Sequence, residues 1–236
     1  STQSEMAELV EHIVDDARNM PSNLKSGIAY IKTELKTLPN QPGVYRMQNE
    51  TGEVLYVGKA RNLVRRVASY TQPNRLSNRI MRMVSETKKV EVIVTKSEIE
   101  ALLLESNLIK KMKPRYNILL RDDKSLPQIL LTADHEFGQL TKHRGRKNRK
   151  GDYFGPFASA GSVNRTVADL SRAFMLRTCS DNIFQARTRP CLQYQIKRCS
   201  GPCVGLVSKD DYVKQMEQAR RFLNGDSADV QREYAI

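Results

Sequence analysis

Long apolar runs are missing from these 236 residues: none approaches the roughly 20 that a membrane helix needs. The opening, STQSEMAELVEH, lacks the charged-then-apolar pattern of a secretion signal. Both absences predict a cytoplasmic protein with no membrane partner. Cysteine is scarce. In a reducing compartment its 4 copies suggest a metal site before disulfides. Acid is in deficit, with 26 Asp and Glu against 39 Lys and Arg, a formal charge of +13 and a pI near 9.7. Such a surplus repels itself in a compact chain, so it serves an anionic partner, nucleic acid first and anionic membrane second. No internal repeat is visible. A hydrophobic share of 39% excludes overall disorder and supports one large domain or two small ones.

The positive charge is unevenly spread. Residues 59–89 hold nine cations (Lys59, Arg61, Arg65, Arg66, Arg75, Arg79, Arg82, Lys88, Lys89) against the single acid Glu86. Residues 142–150, KHRGRKNRK, hold six more and no acid. The first cluster adjoins a motif and reads as a DNA contact. The second reads equally well as a solvated basic loop.

Residues 5–20 have the apolar spacing of an amphipathic helix, ended by Pro21-Ser22-Asn23, and a second helical stretch runs to about Lys36. GVYRMQ and EVLYVG flank the turn Asn49-Glu50-Thr51-Gly52, a hairpin signal. Helical segments over 62–70 and 74–87 follow, then the strand VEVIVT. Ser97-Glu98-Ile99-Glu100 is a capping box opening a helix to about Lys111, closed by Pro114. The order ββααβα predicts an α/β domain, a three-stranded antiparallel sheet flanked by helices. Beyond Arg121, QILLTA and GQLTK read as strands, residues 153–157 (YFGPF) as a rigid aromatic turn, and 159–175 and 210–223 as helices. The expected divisions are a helical extension over 1–36, the α/β domain over 37–121 and a connecting region over 122–178. An α+β cysteine-rich segment over 179–206 and a final helix over 207–236 complete them.

Three features invite chemistry. Pro42-Gly43-Val44-Tyr45 and Tyr56-Val57-Gly58-Lys59-Ala60 put paired aromatic signatures on adjacent strands. Glu105 is bracketed by Ala101, Leu102, Leu108 and Ile109 at helical spacing, and a carboxylate in such company is costly unless paired or metal-bound. A salt bridge to Arg66 is the plainer alternative. Glu100 is explained as a cap and Glu98 as solvated. The spacing Cys179-x11-Cys191-x7-Cys199-x3-Cys203, with Gly201-Pro202 bending the last interval, suggests tetrahedral zinc, or else isolated buried thiols.

These residues, with Arg65-Arg66-Val67-Ala68-Ser69-Tyr70, Leu104-Glu105-Ser106-Asn107 and Pro114-Arg115-Tyr116-Asn117, resemble the GIY-YIG nuclease domain of the UvrC family. The words around the cysteines, RTC, RPCLQY and RCSGPC, are similar to that family's cysteine-rich segment. The resemblance covers about residues 36–225 and implies a DNA endonuclease of nucleotide excision repair that cuts 3′ of the lesion. It implies that Glu105 binds Mg²⁺ or Mn²⁺, that Tyr56 takes a proton from the attacking water, and that Arg66 binds the phosphate with help from Lys59. Tyr45, Tyr70 and Asn117 would support the site. It also implies a [4Fe–4S] cluster on Cys179, Cys191, Cys199 and Cys203 in place of zinc. The implied partners are damaged double-stranded DNA and UvrB. In the family a UvrB-binding helical pair, a second nuclease and helix-hairpin-helix repeats follow, so this chain is expected either to make only the 3′ incision without the usual UvrB contact or to be a fragment. A catalytically weak DNA-binding scaffold is the competing expectation, and an RNA-binding protein a third. Leu126 and Gln128 stand where the family usually carries aromatics.

Overall fold

The computed structural model describes residues 23–117 and 125–225. The helix expected over 5–20 lies outside the described residues. The chain divides into two compact units, with the boundary between Leu119 and Leu120.

Unit 1 is built on a three-stranded antiparallel sheet of order β2–β1–β3: β1 Gly43–Gln48, β2 Val54–Ala60 and β3 Lys89–Val94. The hairpin turn forms because Asn49 Oδ1 accepts from the backbone N–H of Thr51 and Glu53, at 3.1 and 2.9 Å, while Gly52 takes φ +83. Tyr45 and Met47 of β1 share one core with helix α1 (Leu24–Glu34), helix α2 (Leu63–Ala68) and helix α3 (Asn78–Glu86). Ile31, Met47, Leu55, Leu63, Val67 and Met83 are all fully enclosed. Each such side chain contributes about 1.5–3 kcal/mol of transfer free energy. Gly27 of α1 is required, because a Cβ there would sit 1.8 Å from the Val84 carbonyl oxygen of α3.

Helix α4 (Glu98–Met112) packs along β2 and β1. Ser97 caps it by accepting from Glu100 N–H at 3.2 Å, and Glu100 reaches back to Lys96 N–H at 2.9 Å. Glu98 and Glu100 at its start, with Lys110 and Lys111 at its end, suit the helix dipole. Lys113 then turns left-handed and Pro114 follows. The helical segments expected over 62–70 and 74–87 are shorter than anticipated. Each divides into a helix and a 3-10 turn, Ser69–Thr71 and Pro73–Arg75.

Unit 2 carries a second antiparallel sheet of order β5–β4–β6: β4 Gln128–Thr132, β5 Leu140–His143 and β6 Gly151–Phe154. QILLTA and GQLTK thus supply two strands as expected. Strand β6 corrects the reading of 153–157: Tyr153 and Phe154 pair with Leu130 and Ile129, and only Gly155-Pro156-Phe157 turns. The aromatic pair had looked like turn material because glycine and proline follow it directly. Helix α5 (Ala160–Ala173) packs on β5 and β4. Short helices α6 (Asp181–Gln185) and α7 (Leu192–Gln195) lead to helix α8 (Lys209–Leu223).

Candidate active site

The antiparallel register places Tyr45 opposite Gly58 on the central hairpin, and Met47 opposite Tyr56. A Cβ at Gly58 would fall 2.2 Å from the Tyr45 hydroxyl oxygen and 2.3 Å from its Cζ. The glycine of the second signature therefore exists to admit the tyrosine of the first, whose ring is fully buried. Gly58→Ala is expected to displace that ring and cost about 1–3 kcal/mol of stability, read as a shift in urea midpoint.

Three tyrosines meet here. The hydroxyls of Tyr45 and Tyr70 are 2.6 Å apart, and the Tyr56 ring stands edge-on to that of Tyr70. Arg66 Nε donates to the Tyr45 hydroxyl at 3.2 Å, and its guanidinium carbon lies 5.5 Å from the Tyr70 ring centroid. The ring centroids of the trio are 5.8–6.3 Å apart. Tyr70 arrives by the 3-10 turn after α2, so the helix that carries Arg66 also delivers its partner. Burial drives all three phenols well above the ordinary tyrosine range, more than the nearby Arg66 charge lowers them. All three are neutral hydroxyls at pH 7.

Glu105 faces this cluster from α4 and is only 8% exposed. Burial pushes its carboxyl up to about 7, against the charges of Lys59 and Arg66 and a hydrogen bond from the Lys59 backbone N–H, which all lower it. Glu105 in turn acts on Tyr56 through its charge. Tyr56, Arg66 and Glu105, assigned to three different elements, thus share one electrostatic neighbourhood. Lys59 Nζ lies 3.7 Å from Glu98 Oε1. Glu98, expected to be solvated, instead bridges Lys59 and Arg61, the latter at 2.7 Å. Its place at the start of α4, beside Lys59 of β2 and Arg61 just after that strand, was not visible in the helix pattern.

Asn117 works on the backbone. Its side chain accepts from Val57 N–H and donates to the Val57 carbonyl, both at 2.8 Å, and so clamps β2 between Tyr56 and Gly58. Arg79 donates to the Asn117 carbonyl at 2.8 Å. Glu86 accepts from both Arg115 and the Tyr116 hydroxyl, anchoring the same segment. The sequence marks Arg79 only as one of nine clustered cations and Glu86 as the single acid among them, since nothing in their spacing points to residues 115–117.

Residues 41–118 match the family model of the UvrC-like GIY-YIG domain, and residues 126–222 that of the UvrC/Cho excinuclease middle domain. The chain belongs to the UvrC family. UvrABC system protein C of Paramagnetospirillum magneticum is 57% identical over 218 residues, 92% of this chain and 35% of that protein. The Rhizobium meliloti protein is 59% identical over 204 residues, 86% of this chain and 30% of that one. The chain thus spans about a third of the length of the curated relatives it matches. The GIY-YIG N-terminal endonuclease domain of UvrC from Thermotoga maritima, bound to its catalytic divalent cation, magnesium, is 40% identical. That likeness covers 37% of this chain and 96% of that one, with a TM-score of 0.35.

The UvrC middle-domain match includes all four cysteines. Cys179 precedes α6, Cys191 caps α7, Cys199 follows that helix, and Cys203 sits in the 3-10 turn Pro202–Val204. The four line one cavity, with Phe184, Pro190 and Tyr194 among its walls. Burial, reinforced by its three fellow cysteines, raises the Cys199 thiol. Gly201, at φ +71, makes the bend that brings Cys203 back, and its N–H lies 3.5 Å from Cys199 Sγ. Among the described residues no three His, Cys, Asp or Glu side chains form a group that could hold a single metal ion. Among the described residues no helix is long and apolar enough to cross a membrane.

Proposed function

We propose that this chain is the 3′-incising nuclease part of an excision-repair system, nicking one strand of damaged duplex DNA beside a UvrB-type partner. The observation that carries the reading is the buried carboxylate of Glu105 in charge contact with Tyr56 and Arg66, inside a UvrC-like GIY-YIG domain. A carboxyl raised to about 7 by burial is stabilised in its ionised form by a cation. Glu105 would hold Mg²⁺ or Mn²⁺, whose hard charge suits a carboxylate oxygen. When bound, that ion supplies positive charge to the scissile phosphate and to the proton equilibria around it.

The remaining work falls to the chain. Arg66 is exposed on α2, and its Nε is fixed by the Tyr45 hydroxyl, which leaves the outer edge of the fork for a phosphate oxygen. Tyr56 is half-buried at the edge of the trio, its ring edge-on to that of Tyr70. It orients the attacking water and takes its proton once cationic charge beyond Arg66 and Lys59 is present. Tyr45 and Tyr70 hold the positions of Arg66 and Tyr56, and Asn117 holds the strand beneath them.

For the second unit the reading is a [4Fe–4S] cluster on Cys179, Cys191, Cys199 and Cys203. Its support is the shared cavity, lined by four thiols from four points along the chain. The cluster would order a basic module that includes Arg187, Arg189, Lys197 and Arg198.

The deciding experiment is incision of a site-specifically damaged duplex, with and without UvrB, in Mg²⁺, Mn²⁺ and chelator. The expected result is divalent-dependent nicking of one strand on the 3′ side, abolished by the chelator. Tight duplex binding with no incision under any of these conditions would instead establish the DNA-binding scaffold. Iron and sulfide analysis of anaerobically purified protein tests the cluster, and stoichiometric zinc without visible absorption would replace it.

A further inference from the structure

Strands β5 and β6 do not pair with each other. Both flank β4, so they run parallel, and residues 144–150 must return from beside Gln128 at one end of β4 to beside Thr132 at the other. The basic run is therefore a crossover strap, not a hairpin tip. Its course is set by bonds at both ends. Arg144 Nη1 donates to the Ser125 carbonyl at 3.1 Å, and the His143 ring bonds the Arg146 carbonyl at 2.9 Å. Arg149 binds Asp134 through Nε and Nη2 at 2.5 and 3.2 Å. The Tyr153 hydroxyl donates to the Arg149 carbonyl at 2.8 Å and accepts from its N–H at 3.2 Å. The Lys150 carbonyl accepts from Ala133 N–H at 2.9 Å.

Lys142, Arg144, Arg146, Lys147 and Lys150 are exposed along this strap. The two neighbouring acids are already engaged, Asp134 by Arg149 and Asp152 by Arg220 at 2.7 Å. A solvated flexible loop would have none of this fixing. A strap whose backbone is pinned while its cations point outward loses little entropy when they meet phosphates. We infer that the strap over residues 142–150 is a second DNA-binding surface, gripping the phosphate backbone of the duplex without reading its sequence. The inference rests on duplex DNA being the substrate, and it places part of the affinity in unit 2.

The test is fluorescence anisotropy of the full chain on a short labelled duplex, titrated at several salt concentrations. Lys142→Gln, Arg146→Gln and Lys150→Gln together should weaken binding about tenfold or more at ~100 mM salt. They should flatten the log–log salt slope by about 0.9 per lost phosphate contact, up to about 2.7 for three. The matched removal of three exposed charges on α1 and just after it (Lys25→Gln, Lys32→Gln, Lys36→Gln) should change affinity less than about twofold. The charge-conserving exchange Lys142→Arg, Arg146→Lys, Lys150→Arg should retain it. Wild-type affinity and slope in the first variant would overturn the inference alone, as would an equal loss in the α1 control, or a loss seen only with RNA or anionic vesicles. Wild-type protein that neither binds nor nicks duplex DNA would instead bring down the nuclease reading.

Discussion

Glu105→Gln is expected to abolish incision and, in metal-free protein, to make unit 1 more stable. Glutamine keeps the shape, but it gives a divalent ion no charge. The lost electrostatic stabilisation is of the order that costs about a thousandfold or more in rate. The stability gain follows from linkage. The Glu105 carboxyl is pushed up to about 7 in the folded protein, against 4.5 for a carboxyl free in water. Between those values the folded state binds more protons than the unfolded state, so stability falls as pH rises through the window. The cost is small near pH 4.5 and complete above pH 7, where it amounts to about 1–3 kcal/mol. The glutamine variant should therefore gain that amount over wild type at pH 8 in chelator, and little near pH 4.5. In saturating Mg²⁺ the order should narrow or reverse, because the ion stabilises wild type alone. Below pH 7 protons compete with the cation at Glu105, and its affinity should fall by up to tenfold per pH unit. Urea denaturation at two pH values, with and without metal, measures all of this. Equal stability of the two proteins throughout would show that the carboxylate is not strained, and would remove the main reason for placing a metal there.

Much of unit 1 is legible because its signals are local. The hairpin is announced by a turn whose Asn49 and Gly52 each have a defined conformational task, and α4 by a cap and reciprocal carboxylate. Glu105 could be singled out because its burial follows from the apolar neighbours three and four positions away on its own helix. What could not be read depends on register and long range. Which residue needs Gly58 to lack a Cβ becomes clear only when β1 is laid against β2 and Tyr45 falls across it. The clamp of Asn117 on Val57 joins residues 60 positions apart. In unit 2 the strand β6 is short and runs into Gly155-Pro156, so local preference favoured a turn. The pairing that overrides it comes from β4, already committed to β5 on its other edge. That same central position of β4 turns an apparent basic loop into a strap.

Arg177, legible in the sequence only as a cation of the RTC motif in a positively charged module, is instead buried, and its replacement should be costly. It is 1% exposed, the largest of the fully buried side chains. Its Nε donates to the Phe137 carbonyl at 2.5 Å, Nη1 to the Cys179 carbonyl at 2.8 Å and Nη2 to Asp181 Oδ1 at 2.6 Å. The guanidinium carbon lies 4.9 Å from the Phe184 ring centroid. Its backbone N–H donates to the Tyr212 hydroxyl at 3.0 Å, and that hydroxyl donates to the Gly138 carbonyl at 2.7 Å. One residue thus ties the first cysteine to the turn before β5 and to α8. Removing the guanidinium relieves its own desolvation, which offsets part of the loss. The Phe137 and Cys179 carbonyls are nevertheless left without their donors, while Asp181, at 40% side-chain exposure, can return to water. The net expectation for Arg177→Met is about 3 kcal/mol of lost stability in unit 2. Arg177→Lys should fall between, since an ammonium keeps the charge but not the fork that serves acceptors in three directions. Amide hydrogen exchange over residues 175–203 localises the effect, and the iron or zinc content of the purified variant reports whether the cysteines still assemble. Wild-type protection and full metal content in Arg177→Met would mean that the cysteine segment is held by its own turns, and that the buried cation is incidental to it.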